Sequence, residues 1–544
     1  MDEDIYGIDL GTTYSAASVV RPGEISDVRL ENDSNSLPSV VWLAESDGVL
    51  TARVGLDAWL ELSSDCHSDA GKVFLETKRF MGQDISTCGG AAQWHYAGHT
   101  FDSRDIAALI LKKIRQRIVS NRGGRDGRVR AIVSHPAYFL IPQKEATKQA
   151  AEWAGIDVLD TITEPGAAIF AYSPPNDAAR FLVFDLGGGT LDVSVVETDS
   201  KGTITIRRHK GLPRTGGLDW DRLILGLLKR RFSIDYPGID FDSNVSPDVQ
   251  TLLLRKCCGI KQHLSGNPYY RGKVDLRVGD SASGEKPRVF PVRLEVTQEQ
   301  FEKEAATLLF DCRGCVEDVL RCCSLKPADI NRVLLVGGST RMPMIQKMLS
   351  ELFDRSVRLS SAIDPDHAVA RGAAHAAYDR VHRPNRDRPL ERVEWVASEG
   401  AADIKRSVPT DCLARSLRVE EDKDGRPICG LAVEAGHPTP FEKTIEYLTI
   451  RDNQSSIRVN VYEGDVDCVE ACSRVGTVLI EGLPKRPKGM PVNVCLKITE
   501  SGRLEVAVTD KNTGKIAHSE LVVNNATVGD SERRKAFLDR IQVE

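Results

Sequence analysis

The chain has 544 residues, 41% of them hydrophobic and 28% charged, with a formal net charge of −6. That length exceeds what one core organises and requires two or more domains, and the balance is that of a globular chain. The mild negative charge, with no basic cluster, excludes a general affinity for nucleic acid or anionic membrane; no apolar run reaches the roughly 18 residues of a membrane span.

In chain order, the acidic start Met1-Asp2-Glu3-Asp4 runs directly into a strand, unlike a basic secretory leader, so a cytoplasmic location is expected. The apolar run Ile5-Tyr6-Gly7-Ile8 leads into Asp9-Leu10-Gly11-Thr12-Thr13-Tyr14-Ser15. Ile106, Ile110, Ile114 and Ile118 form a buried helical stripe. A strand is predicted over 129–134 and a helix over 143–154. A second β unit follows, Phe181-Leu182-Val183-Phe184, then Asp185-Leu186-Gly187-Gly188-Gly189-Thr190-Leu191-Asp192. Strand 333–336 precedes Gly337-Gly338-Ser339-Thr340-Arg341. This β/α alternation predicts helix-covered sheets.

The thirteen cysteines are too few for a disulfide scaffold. Cys312, Cys315, Cys322 and Cys323 fall on one face of a helix predicted over 301–325. A zinc site prefers its C-x2-C in a turn, so core packing is the expectation and metal the alternative. From 383 to 410 the sequence is charged, proline-punctuated and aperiodic, which reads as a linker. Beyond it, alternating runs at 457–461, 492–498 and 504–508 predict a β-sandwich over 411–526. The tail 527–544 holds a charged stretch, Ser531 to Gln542, sufficient for one short helix.

The two aspartate–glycine–threonine loops are variants of one phosphate cradle. Glycines let backbone N–H groups approach phosphate, aspartates serve a hydrated metal ion, and threonine hydroxyls meet phosphate oxygens. Either loop alone also reads as a capped hairpin. Two in one chain point to two similar halves gripping one nucleotide, with ATP hydrolysis as the expected reaction. No Walker-type G-x4-G-K-[ST] occurs.

These loops, together with Lys78-Arg79-Phe80-Met81-Gly82, His135-Pro136-Ala137-Tyr138-Phe139, Glu164-Pro165-Gly166, Val336 to Pro343 and Asp364-Pro365-Asp366, occur in the order seen in DnaK-type chaperones. Asp452-Asn453-Gln454-Ser455, Gly489-Met490-Pro491 and Thr509 to Gly514 extend the match. From residue 4 to about 525, with a gap at the linker, the chain resembles the seventy-kilodalton heat-shock protein family.

The resemblance implies an α/β, actin-like, two-lobed ATPase domain over 1–382, joined to an all-β peptide-binding sandwich. ATP or ADP, Mg²⁺ and K⁺ are the implied cofactors. Gly11, Thr12, Thr13 and Tyr14 would hold phosphate and monovalent cation, with Gly187, Gly188, Gly189 and Thr190 opposite. Asp9 and Asp185 would orient waters on Mg²⁺, and Asp192 would sit near K⁺. Lys78 would position the attacking water, with Glu164 acting through the metal shell; phosphoryl transfer needs placement and charge compensation above all. Gly216, Gly217, Lys261, Ser265, Gly337, Gly338, Arg341 and Asp366 would surround the nucleoside. Lys78 also reads as a surface lysine packed along its stem, and Glu164 as a helix-starting carboxylate.

Val419, Tyr447, Ile457 and Val459 would line the peptide groove, although alternate apolar strand positions read equally as sandwich core. The implied partners are unfolded or specific client polypeptides, a J-type cochaperone and a nucleotide exchange factor, with neither nucleic acid nor membrane.

Several positions depart from the family pattern. Cys258 stands where a ribose-binding glutamate is usual, which predicts weaker ATP affinity by roughly 1 kcal/mol. Lys144 replaces an arginine and loses its planar fork. The loop Gly436-His437-Pro438-Thr439-Pro440 differs from the usual sequence. The linker Arg406-Ser407-Val408-Pro409-Thr410-Asp411 keeps only Asp411 of the usual leucine-rich stretch, and too few residues follow 527 for a helical lid. An alternative is therefore a nucleotide-regulated adaptor with weak ATPase. A sugar or acetate kinase shares the paired loops but leaves the β domain unexplained.

Overall fold

Two sheets of the same topology organise the first part of the chain. The first runs Ile156–Thr163, Val129–His135, Ile5–Asp9, Tyr14–Arg21, Glu24–Asp27. The second runs Arg358–Ser360, Arg332–Val336, Ala179–Leu186, Leu191–Thr198, Ile204–Leu212. In each, the central strand pairs antiparallel with the strand after it and parallel with a later one. The return strand places Ala16 beside Asp9 in one sheet and Asp192 beside Asp185 in the other. The mirrored loops of the sequence are thus the mirrored turns of two related half-domains.

These observations come from a computed structural model that describes residues 4–21, 24–63, 71–82, 93–123, 128–172, 178–200, 203–278, 288–353, 358–360, 364–382, 411–423, 426–499, 504–520 and 528–544. The expected linker, 383–410, lies outside the described residues.

Local chemistry accounts for the main elements. The isoleucine stripe lies on the helix Ser103–Asn121, all four members at most 2% exposed. Asp102 caps that helix by accepting from the Arg104 and Asp105 N–H groups, and Asp105 returns the bond to the Asp102 N–H. The helix predicted over 143–154 is Ile141–Trp153, begun two residues earlier because the Leu140 N–H donates to the Gln143 side chain. The helix predicted over 301–325 is two segments, Gln298–Glu304 and Ala306–Cys322, bridged by the Ala305 N–H to Phe301 and the Leu309 N–H to Ala305. Cys312 and Cys315 are buried in the core there while Cys322 is exposed, as packing rather than a metal site requires. The helix Ala368–His382 packs on the first sheet and on Glu164–Tyr172, at the centre of the two-lobed unit.

The β domain consists of two four-stranded antiparallel sheets, Arg426–Val433, Leu417–Lys423, Ser456–Glu463, Ser473–Glu481 and Phe441–Leu448, Pro491–Ile498, Leu504–Asp510, Ile516–Glu520. Alternating valines, leucines and isoleucines from both fill a shared core. Ile141 of the first domain joins that core, and its N–H donates to the buried Glu463 at 2.9 Å. Lys144 Nζ meets Asp411 at 3.2 Å.

The end of the chain is more than the single short helix expected. Val528–Asp539 is helical, and Gln542–Val543 then pairs in parallel with Val49–Val54, back on the first domain. Leu538 and Ile541 complete the first-lobe core, and Trp153 Nε1 donates to Ser531. Arg534 donates to both carboxylate oxygens of the fully buried Asp105 and to the Thr100 carbonyl. Among the described helices none is long and apolar enough to cross a membrane.

Candidate active site

Between the two sheets opens a cavity of about 450 Å³. Of the residues nominated for nucleotide or catalysis, every one lines it except Asp192 and Gly216. Gly216 supports the wall instead: its N–H donates to Asp219, and a Cβ there would strike the Gly189 backbone. Asp192 lies one strand over from Asp185, 2% exposed.

The turns themselves explain their glycines. A Cβ on Gly188 would overlap Thr13, and one on Gly189 would overlap Thr12, so the two cradles face each other in contact. The second turn is fixed by the Gly187 N–H to the Thr190 carbonyl. It is held from outside by the N–H groups of Gly217 and Leu218, which donate to the Gly187 and Gly188 carbonyls. The first is fixed by the Gly11 N–H to Ser15 Oγ. Thr13 Oγ1 is buried without a hydrogen-bond partner.

At the floor, Lys78 Nζ lies 2.7 Å from Glu164, both nearly buried. Burial alone would lower the Lys78 pKa, yet Glu164, Asp9 and Asp185 hold it above its usual value. Burial raises the pKa of Asp9, with Lys78 and the Ser134 hydroxyl at 2.7 Å pulling it back. Burial likewise raises Glu164, against Lys78. It pushes Asp185 and Asp192 well up, with Glu164 repelling both. Neither oxygen of Asp192 makes a hydrogen bond of ordinary geometry, although the Ala137 N–H lies beside it. Four buried carboxylates therefore surround one ammonium. An all-oxygen donor set with surplus negative charge fits a hard divalent cation.

On the nucleoside side Lys261 Nζ is engaged by the Gly217 carbonyl at 2.7 Å and Asp221 at 2.9 Å. Ser265 donates to the Lys261 carbonyl, one turn back on the same helix. Arg341 donates from one guanidinium nitrogen to both Asp364 and Asp366, at 2.8 and 2.9 Å. Tyr14 stands half-exposed at the mouth. Cys258 lines the same wall next to Asp221, its thiol pKa raised by burial and by that carboxylate.

Some contributors escape sequence reading. Arg79, adjacent to Lys78, crosses between lobes to donate twice to the Gly189 carbonyl and to pair with Asp219 at 2.8 Å. Its place in the Lys78 to Gly82 motif was the only available signal. Ser339, which donates to the Gly187 carbonyl, likewise had only its place in the Gly337 to Arg341 motif, and Ser134, which orients Asp9, carries no signal.

The four groove nominees divide. Val419 and Val459 are 3% and 5% exposed within the sandwich core, while Tyr447 and Ile457 pack half-buried at its margin. Ile457 touches a small depression lined also by Thr449, Leu483 and Val492. Packing uses Val419 and Val459 because both point inward from adjacent strands, the outcome their alternation always permitted.

The chain matches the family model described as Hsp70 protein over residues 5–540. It is 30% identical over 519 residues to the chaperone protein DnaK of Thermosipho melanesiensis, covering 94% of this chain and 79% of that protein. The chain belongs to the Hsp70 family: a chaperone and an ATPase that binds ATP or ADP with Mg²⁺, built as a two-lobed actin-like domain followed by a β-sandwich.

Proposed function

We propose that this member of the Hsp70 family couples a slow cycle of ATP hydrolysis to the binding and release of extended apolar segments of client polypeptides. The observation that carries the reading is the pair of glycine–threonine turns in contact across a cavity floored by Lys78, Asp9, Glu164 and Asp185, with Asp192 buried one strand behind.

In this reading the turn N–H groups and the hydroxyls of Thr12, Thr13 and Thr190 take the phosphates. Asp9 and Asp185 would hold Mg²⁺ through water, and Thr13, Tyr14 and Asp192 would provide for K⁺. The metal, when bound, supplies charge neutralisation to the triphosphate. Lys78, kept protonated by its carboxylate neighbours, would place the attacking water and balance charge on the phosphoryl oxygens, and Glu164 would fix its ammonium. Arg341, braced by two aspartates, would stack on the base. Cys258 leaves the ribose one hydrogen bond short.

The sandwich would take its peptide as an added extended segment, with backbone hydrogen bonds and small apolar pockets. Tyr447 and Ile457, at the margin, are better placed for this than Val419 and Val459. A J-type cochaperone and an exchange factor would act on the cycle, and the cytoplasm is the proposed location.

ATP turnover of the intact chain with and without a panel of unfolded apolar peptides tests the coupling. Stimulation by the peptides is expected. Equal turnover under all conditions would leave the nucleotide-regulated adaptor as the better description.

A further inference from the structure

Where the β domain meets the ATPase domain, three donor groups converge from two parts of the chain. His209 comes from the strand Ile204–Leu212 of the second lobe; Asp411 and Cys412 open the β domain. One ligand atom from each lies within 4.8 Å of the other two, the sole such group of three among the described residues. His209 is 7% exposed, and neither ring nitrogen completes a hydrogen bond of ordinary geometry; the Cys412 backbone is the polar group beside it. A buried imidazole with no satisfied nitrogen is an anomaly that demands a partner. Cys412, 1% exposed, sits within the apolar cluster formed by Ile132, Ile162, Val336 and Val369.

We propose that His209, Asp411 and Cys412 form a zinc site that staples the β domain to the ATPase domain. The donors suit that ion: imidazole nitrogen, thiolate sulfur and carboxylate oxygen, with water in the fourth tetrahedral position. Bond lengths of about 2.0–2.3 Å put neighbouring ligands roughly 3.5 Å apart, so contraction of about 1 Å by side-chain rotation closes the site.

Each group is in a usable state. Burial lowers the His209 pKa to about 4, leaving the ring neutral with a free lone pair. Asp411 stays ionised although burial opposes it, because the Lys144 ammonium and the Cys412 N–H favour the charge. Its contacts to Lys144 and to the Cys412 N–H occupy one lone pair on each oxygen and leave the other. The Cys412 thiol, held protonated by burial and by Asp411, would lose its proton to water as the Sγ–Zn bond forms. Thiolate and carboxylate then neutralise the ion inside an apolar shell.

The consequence is mechanical. His209 belongs to one domain and its co-ligands to the other, so separation of the domains dismantles the site. By linkage, zinc a hundredfold above its dissociation constant would favour the docked arrangement about a hundredfold.

The test uses the full chain, stripped of metal and titrated with Co²⁺ as probe. One equivalent is expected to give tetrahedral ligand-field bands and thiolate-to-cobalt charge-transfer absorption. The charge-transfer band should vanish in Cys412→Ser, and binding should fall at least tenfold in His209→Asn. A band of undiminished strength in both variants would assign the metal to other cysteines and overturn the proposal, as would the lack of a band in the wild type. X-ray absorption on the zinc-loaded wild type guards against a folding defect in either variant. One sulfur at about 2.3 Å with nitrogen and oxygen at about 2.0–2.2 Å is expected; two or more sulfurs, or none, would overturn it.

Discussion

The cleft and the seams that hold the β domain and the chain end in place both bury charge, but they balance it differently. In the cleft, Asp9, Glu164, Asp185 and Asp192 share one ammonium, and Asp192 lacks even an ordinary hydrogen bond. At the seams each carboxylate has its own partner: Asp105 has Arg534, Asp411 has Lys144, and Glu463 has the Ile141 N–H. Buried charge without compensation is unfavourable, so a fold retains it only where a ligand supplies the opposite sign. Paired charge, by contrast, reads as architecture. The surplus marks the working site.

The largest effect should follow from worsening the imbalance. Lys78→Ala removes the one cation among the four carboxylates. Turnover of ATP is expected to fall on the order of 10²–10³-fold, while a fluorescent nucleotide still binds through the turns. Wild-type turnover in this variant would mean that the surplus charge has no catalytic counterpart, and the contrast between cleft and seam would collapse.

At the seam the same operation should be read in stability instead. Arg534→Ala leaves the buried Asp105 unpaired and is expected to cost about 3 kcal/mol. Urea unfolding of the first lobe and hydrogen exchange across 528–544 would register it. Adding Asp105→Asn should recover a large part of that loss by removing the stranded charge. ATP turnover per folded molecule should stay within about twofold. A loss below about 0.5 kcal/mol would show that the chain end adheres without the Arg534–Asp105 pair, through Leu538, Ile541 and the other contacts of 528–544.

The same contrast explains what could be read from sequence. The cleft was legible because its demands are local and chemically narrow. Glycine must stand where Thr12 and Thr13 approach, and aspartate at or next to the end of each central strand. The sheets and the sandwich were legible through periodicity. The seams were not: Arg534 and Asp105, or Glu463 and Ile141, lie hundreds of residues apart, and neither partner looks unusual in its own segment. The groove nominees were ambiguous for a different reason. Val419 and Val459 have the pattern of both lining and core, and only packing in three dimensions assigns them to the core. His209 carried no local signal, being one of four consecutive polar residues, Arg207 to Lys210, in its strand.

Glu463 offers the finest discrimination, because it is a seam carboxylate whose partner is a neutral N–H. Burial raises its pKa to about 7, with the Ile141 N–H, Lys144 and Arg415 only partly offsetting that and Asp465 adding to it. The docked state therefore keeps a proton that an undocked, solvated Glu463 has already released. Its contribution to docking is full below the ordinary carboxylate range and is lost as pH rises through about 7. His209 and His135 lean the other way, since burial lowers both, so wild type alone would mix the two trends. Glu463→Gln isolates the carboxylate, because the amide oxygen still accepts from Ile141 and cannot ionise. Scattering-derived domain separation should show the variant docking more tightly than wild type, by a margin that grows about tenfold from pH 6 to pH 8. A margin constant across that range would mean that Glu463 is ionised in the docked state, and that this seam tolerates unbalanced charge as the cleft does.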